Sequence, residues 1–225
     1  MSLIDDTAFI VPAAGSSTRF GGDKLMTLLD DLPVYLHCVR TVAPLLTPGR
    51  IILAVAPDRI AEFQSVTARC LPDVMVHYVP GGASRTESVF HALQKAGELP
   101  GVQYAAVHDA ARPFLPAESF LKCLDAARVH KGALLCRRIC DTVKRIDGDG
   151  YACDTLNRDE LRAAETPQIF PLHELCNATE KALKSGNIFT DDCQVMETYT
   201  AIRPFLVDHY GDNRKITFAS DMPCS

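Results

Sequence analysis

A chain of 225 residues, 47% of them hydrophobic, is long enough to bury one substantial α/β core and short for two domains. A net charge of −5 with no long run of like charge excludes an extended nucleic-acid surface, so any anion site must be a local pocket of positive charge. No apolar stretch approaches the roughly 20 residues that span a bilayer, which excludes a membrane-crossing helix.

The opening Met-Ser-Leu-Ile-Asp-Asp lacks the basic and apolar regions of a secretion signal, and nine scattered cysteines read as reduced thiols. A cytoplasmic location is therefore expected. Ala8–Val11 predicts a first strand, and Pro33–Leu46 a helix with Pro33 at its first position. Strands Arg50–Ala56, Val74–Val79, Tyr104–His108 and Ala133–Ile139 then alternate with helices Asp58–Cys70, Ser84–Gly97 and Ala117–Lys131. That rhythm is the pattern of β-α-β units, so the expected class is α/β with a mostly parallel sheet flanked by helices. Ser84-Arg85-Thr86-Glu87 is a capping-box pattern that turns a helix N-terminus towards Gly81-Gly82. Gly97 and Gly132 fit just beyond helix ends. After Ile139 the rhythm breaks. Residues 140–161 are polar, with Asp147-Gly148-Asp149-Gly150 between β-compatible flanks, and read as a projecting hairpin that needs a partner chain to pack on. A helix follows at Leu172–Ser185, a short one starts at Thr190-Asp191-Asp192, and two strand-like stretches close the chain. The simplest account is one domain over 1–225 with an arm within it.

The most informative segment is Pro12-Ala13-Ala14-Gly15-Ser16-Ser17-Thr18-Arg19-Phe20-Gly21-Gly22-Asp23-Lys24. Small residues let backbone lie flush against a polyphosphate, and Arg19 and Lys24 supply cations for its oxyanions. The spacing fits neither G-x-G-x-x-G nor the P-loop, and taken alone such a loop also serves as a plain turn. Asp109, after strand Tyr104–His108, is placed to hold a divalent cation directly or through water, or else to cap a turn. Arg112 reads as a loop anchor. Thr142 and Arg158 fall at the base of the arm, where a hydroxyl and a guanidinium form a fork for a phosphate monoester. Thr166-Pro167-Gln168-Ile169-Phe170 reads as a polar-to-apolar turn with the Thr166 hydroxyl free, and Asp212-Asn213-Arg214-Lys215 leads into a last strand. Cys136 and Cys140 would share a face of one strand, which favours core packing over zinc. The seven histidines show no paired spacing, and acyl transfer has no supporting motif.

In this order, Pro-Ala-Ala-Gly with Arg19 and Lys24, Gly81-Gly82 with Arg85 and Ser88, Val107 to Pro113, Asp141-Thr142-Val143-Lys144, Arg158, Thr166-Pro167-Gln168 and Asp212-Asn213 with Lys215 resemble the 2-C-methyl-D-erythritol 4-phosphate cytidylyltransferases. The resemblance runs from residue 8 to about 218. It implies a Rossmann-like nucleotidyltransferase fold and transfer of a cytidylyl group from CTP to methylerythritol 4-phosphate with Mg²⁺ present, releasing pyrophosphate in the non-mevalonate isoprenoid route. By that resemblance Arg19, Lys24, Arg158 and Lys215 are catalytic. Ala13, Ala14, Gly15, Gly81, Gly82, Arg85, Ser88 and Asp109 bind CTP, with Asp109 near the metal. Ala110, Thr142, Arg158, Thr166 and Lys215 hold the polyol phosphate. The arm is expected to cross a homodimer and bring Thr142 and Arg158 to the partner's site. A ribitol-5-phosphate cytidylyltransferase, or an inactive nucleotide-binding domain of the same fold, is the alternative. Three departures stand out: Asp23 where a proline usually precedes that Lys, Ala83 where an acidic residue is common, and a chain running only to Ser225, so that the closing helix after Ser220-Asp221 is expected to be largely missing.

Overall fold

A computed structural model describes residues 2–15 and 20–223. Seven strands form one sheet in the order β11-β7-β10-β6-β1-β4-β5. These are β1 (Thr7–Pro12), β4 (Ile51–Val55), β5 (Val76–Pro80), β6 (Tyr104–Val107), β7 (Ala133–Arg138), β10 (Arg162–Pro171) and β11 (Phe205–Asp208). All pairings are parallel except those of β10, which runs antiparallel between β6 and β7. Both faces of the sheet are covered, which is why β1 and β4 are continuous apolar runs rather than alternating ones. Phe9, Val11, Leu53 and Val55 pack under α1 (Val34–Val42), α2 (Ile60–Cys70) and α4 (Ala117–His130). Ala8, Ile10, Ile52 and Ala54 pack under α3 (Arg85–Gly97), α5 (Leu172–Ser185) and α6 (Asp192–Tyr199) on the other face.

The expected β-α-β rhythm is present, with local corrections. Pro33 is the N-cap of α1, extended at ψ 139° because it pairs in a small hairpin of β2 (Leu28–Leu29) and β3 (Leu32–Pro33). Asp30 and Asp31 turn that hairpin at φ 46° and 61°, the left-handed pair that short hairpins demand. Pro44 lacks the N–H that would continue α1, so the regular helix stops at Val42 and a 3₁₀ turn takes over. Gly97 is the last residue of α3 rather than a residue beyond it. The largest correction is β10. Thr166–Phe170 is no turn but the middle of a buried strand, with an irregular register between Ala164 and Gln168 that accommodates Pro167. No strand follows Asp212 among the described residues; only β11 closes the sheet, and Ala219–Asp221 is a single 3₁₀ turn. Cys136 is buried on β7, whereas Cys140 lies past the strand's end and is exposed.

Within 140–161, β8 (Lys144–Ile146) and β9 (Ala152–Thr155) form the expected hairpin. The Asp147 carboxylate closes its tip by accepting from the Asp149 and Tyr151 amides, and Gly150 takes φ 89° there. Every residue of both strands is exposed. Among the described residues no helix is long and apolar enough to cross a membrane.

Candidate functional site

The chain runs outward from β1 through β4 to β5, then returns through α3 to β6 on the other side of β1. The strand order therefore reverses between β1 and β6, where α/β sheets open a crevice at the strands' carboxyl ends. A cleft of about 530 Å³ lies there, lined by the loops after β1, β5 and β6 and by the segment around Lys215. Ala13, Ala14 and Gly15 form one wall and Gly82 to Arg85 another. The two loops touch: a Cβ on Gly81 would come within 2.3 Å of the Ala14 Cβ, so only glycine lets the walls meet. Ser88 braces this turn, its hydroxyl accepting from the Gly82 amide at 3.0 Å and donating to the Ser84 carbonyl at 2.9 Å. Ser84 caps α3 through the Glu87 amide, as the capping pattern requires.

Charge in the cleft is opposite in sign to the chain's net charge. Lys24, Arg85 and Lys215 line it against one carboxylate, Asp109. Lys215 Nζ lies 2.8 Å from Asp109 Oδ2, Arg112 Nε 3.5 Å from the same oxygen and Arg85 Nη2 3.5 Å from Oδ1. Burial alone would push the Asp109 carboxyl up. Arg85, then Lys215, then Arg112 outweigh it and hold the group well below the usual carboxylate range. Arg85 is itself fixed from behind by the buried Asp192, 2.8 Å away at the start of α6.

Thr166 sits under this loop, 4% exposed, rather than in the cleft. Its hydroxyl is not free: it accepts from the Asp109 amide at 3.1 Å and meets His108 Nδ1 at 3.1 Å. His108 is fully buried, stacked on Phe9 at 5.5 Å, and burial lowers its pKa to about 4. Its Nε2 faces the Arg112 carbonyl at 3.0 Å, an acceptor only, so the neutral ring carries its proton on Nε2 and Nδ1 accepts from Thr166. Lys215 is held in place by its neighbours. The Ile216 amide donates to the Ala111 carbonyl, Arg112 to the Asn213 carbonyl, and the Asn213 side chain to Glu165 and the Thr166 carbonyl. Arg112 is thus the anchor that the sequence suggests.

Comparison with known proteins fits this geometry. The family model described as 2-C-methyl-D-erythritol 4-phosphate cytidylyltransferase matches residues 7–225. The chain belongs to that family. A curated member from Cronobacter sakazakii is 35% identical over 224 residues, spanning 96% of this chain and 91% of its own. One from Bacillus cytotoxicus is 34% identical over 191 residues, 84% of this chain and 82% of its own. The solved 4-diphosphocytidyl-2C-methyl-D-erythritol synthase of Anaerococcus prevotii superposes with a TM-score of 0.82 at 29% identity, covering 96% of this chain and 92% of that one. As a member of this cytidylyltransferase family the chain is an enzyme of the nucleotidyltransferase kind.

The fold brings ten of the expected site residues onto the cleft: Ala13, Ala14, Gly15, Lys24, Gly82, Arg85, Ser88, Asp109, Ala110 and Lys215. Gly81 stands directly behind that wall. Arg19 lies outside the described residues. Thr142 and Arg158 are exposed and do not line this chain's own cleft. Arg158 is tied to the base of the arm by donating to the Cys140 carbonyl. Phe20 and Ala111, which fall inside the quoted motifs but were assigned no role, also line the cleft, as does Thr217. Glu165 and Asp192, the buried carboxylates that hold the segment around Lys215 and Arg85, were equally silent in sequence, because a single acidic residue in a polar stretch does not announce its burial.

Proposed function

We propose that this chain transfers the cytidylyl group of CTP to 2-C-methyl-D-erythritol 4-phosphate, giving 4-diphosphocytidyl-2-C-methyl-D-erythritol and pyrophosphate. The observation that carries the reading is the cationic cleft at the β1/β6 reversal, in a chain matching the family over residues 7–225. An oxygen of the acceptor phosphate attacks the α-phosphorus of CTP, and the bond to the β-phosphate oxygen breaks with its electron pair leaving on pyrophosphate. No proton has to be moved by the protein in that step, so the work is orientation and charge stabilisation. Lys24, with Arg19, neutralises charge growing on the α-phosphate, and Lys215, held by Asp109, receives the acceptor phosphate. The turn Gly81-Gly82, shaped by Ser88, closes on the cytosine edge and leaves no room for a purine. Ala110 and the Thr166-braced loop form the acceptor side.

Among the described residues no cluster of three or more acidic, His or Cys side chains forms a metal cage. The donor set suits Mg²⁺ carried by the triphosphate, since this ion keeps waters and needs only one or two carboxylates besides substrate phosphates. Asp109 is the residue that would hold it, and the ion would supply further charge neutralisation. The exposed arm, tied at Arg158, supports a homodimer in which Thr142 and Arg158 reach the partner's cleft. Free thiols at the exposed Cys140 and Cys153 suit a reducing, cytoplasmic compartment.

Pyrophosphate release with CTP, Mg²⁺ and either methylerythritol 4-phosphate or ribitol 5-phosphate, beside a control without acceptor, tests the reading. Turnover with methylerythritol 4-phosphate alone supports it. Turnover only with ribitol 5-phosphate replaces the acceptor, and none with either, in a folded protein that binds CTP, overturns catalysis.

A further inference from the structure

The turn that presents Lys24 is anchored on its C-terminal side, where Leu25 is buried in the core and Met26 packs against it. Cβ atoms built on Gly21 and Gly22 would meet no described residue within 4 Å, whereas the other side of the turn is organised. Asp23 does this: its carboxylate accepts from the Met26 amide, and its carbonyl from both the Thr27 amide and the Thr27 hydroxyl. Its second carboxylate oxygen lies 2.5 Å from Nη2 of Arg59, 36 residues away in the connection between β4 and α2. Arg59 is pre-oriented. Its Nε donates to Glu62 at 2.8 Å, and its guanidinium lies over the ring of Phe63, 5.1 Å from the centroid. Phe63 is fully buried against Tyr35. Besides the buried Leu25, Arg59 therefore joins the residue before Lys24 to the core.

We propose that Asp23 and Arg59 form a positioning latch that fixes the Lys24 turn against the β4–α2 connection, so that the nucleotide triphosphate meets a preset ammonium group. The latch rests on the reading of Lys24 as a phosphate-binding cation. It also explains how a carboxylate is tolerated next to that cation: its charge is directed away, onto Arg59. An isolated half-exposed ion pair contributes little, but a guanidinium already held by a carboxylate and a ring loses less side-chain freedom on pairing.

Two variants separate the latch from a plain charge effect. In Asp23→Asn a negative charge leaves a phosphate-binding turn, so charge alone would tighten CTP binding. Loss of a latch would weaken it. Arg59→Gln breaks the same pair from the other side. The latch predicts that each variant raises the KM for CTP by about two- to fivefold, the ceiling for a pair of this exposure. Hydrogen exchange at the Met26 and Thr27 amides, measured without nucleotide, should rise by a similar factor. The double variant should be no worse than either single one, since both remove one interaction. High salt should shrink the difference from the unaltered protein. Tighter CTP binding in Asp23→Asn, additive losses in the double variant, or unchanged exchange would each overturn the latch. Faster exchange in both variants with unaltered KM would overturn its role in positioning. Absence of CTP turnover in the unaltered protein would instead overturn the functional reading, because the exchange measurement needs no nucleotide.

Discussion

Replacing Asp109 by Asn should cost stability as well as catalysis, and the size of the effect follows from three distances. At an effective dielectric of about 20, Lys215 at 2.8 Å contributes roughly 6 kcal/mol of gross attraction and the two arginines at 3.5 Å roughly 5 kcal/mol each. Most of that sum offsets the desolvation of a carboxylate only 12% exposed and the mutual repulsion of the cations gathered around it. Lys215, 42% exposed, contributes less than its gross figure. Asparagine fits the space but leaves those cations facing one another, the situation that makes a broken buried pair expensive. We expect a loss of about 3 kcal/mol at pH 7, at the low end for such a change. For a chain of this size that lowers Tm by about 6–12 °C. The depressed carboxyl also fixes the pH signature. Its stabilisation is fully present above the unfolded-state value of about 3.9 and drains away as pH falls below it. Urea unfolding from pH 7 to pH 3 should therefore show the unaltered protein converging on Asp109→Asn as pH drops. A difference below about 0.5 kcal/mol at pH 7, or curves that stay parallel into acid, would refute the account, since surface changes commonly fall within that range.

Lys24→Ala and Lys215→Ala should each lower kcat by about 10²-fold or more while leaving the far-ultraviolet spectrum unchanged, because in the proposed roles each removes a cation aimed at developing phosphate charge. Near-normal turnover in both would remove their assigned roles. Arg158→Ala should raise the KM for the polyol phosphate and spare CTP affinity. Mixed dimers of Arg158→Ala with Lys24→Ala should regain activity only if the arm serves the partner's cleft. Gly81→Ala should separate the β1 and β5 loops and destabilise by about 1–3 kcal/mol, read by thermal unfolding, because its Cβ would press on Ala14 at 2.3 Å. A neutral result would mean that the two walls shift apart freely.

Periodicity and punctuation were enough to locate most strands and helices, because residues such as Phe9/Val11 and Ala8/Ile10 must fill two separate layers of core. They failed at β10, where Glu165, Thr166 and Gln168 are polar and Pro167 interrupts the pattern. All three polar residues are buried, each satisfied by long-range partners that no local rule displays: Asn213 and His209, His108 and Asp109, Asp191 and Cys193. The cleft's glycines and cations were legible because their types carry their chemistry. Lys215 was not, on pattern alone, since an exposed lysine beside apolar neighbours reads as solvated until Asp109 is seen opposite it. Asp23 likewise stands out in the sequence only as a departure from the usual proline; its partner Arg59, 36 residues away, is visible only in the fold.

The loop beneath the cleft, from Asp109 to Arg112, is closed by a circuit of hydrogen bonds with a single sense of direction. The Asp109 amide donates to Thr166, Thr166 to His108 and His108 to the Arg112 carbonyl, while the Arg112 amide returns to the Asp109 carbonyl. A proton added to His108 Nδ1 would put two donors face to face and force Thr166 to turn about. With that histidine titrating at about 4, the circuit keeps one polarity throughout the neutral range. A change in rate around pH 6 would thus not come from this histidine; a phosphate monoester, by contrast, takes up its second proton at about that value.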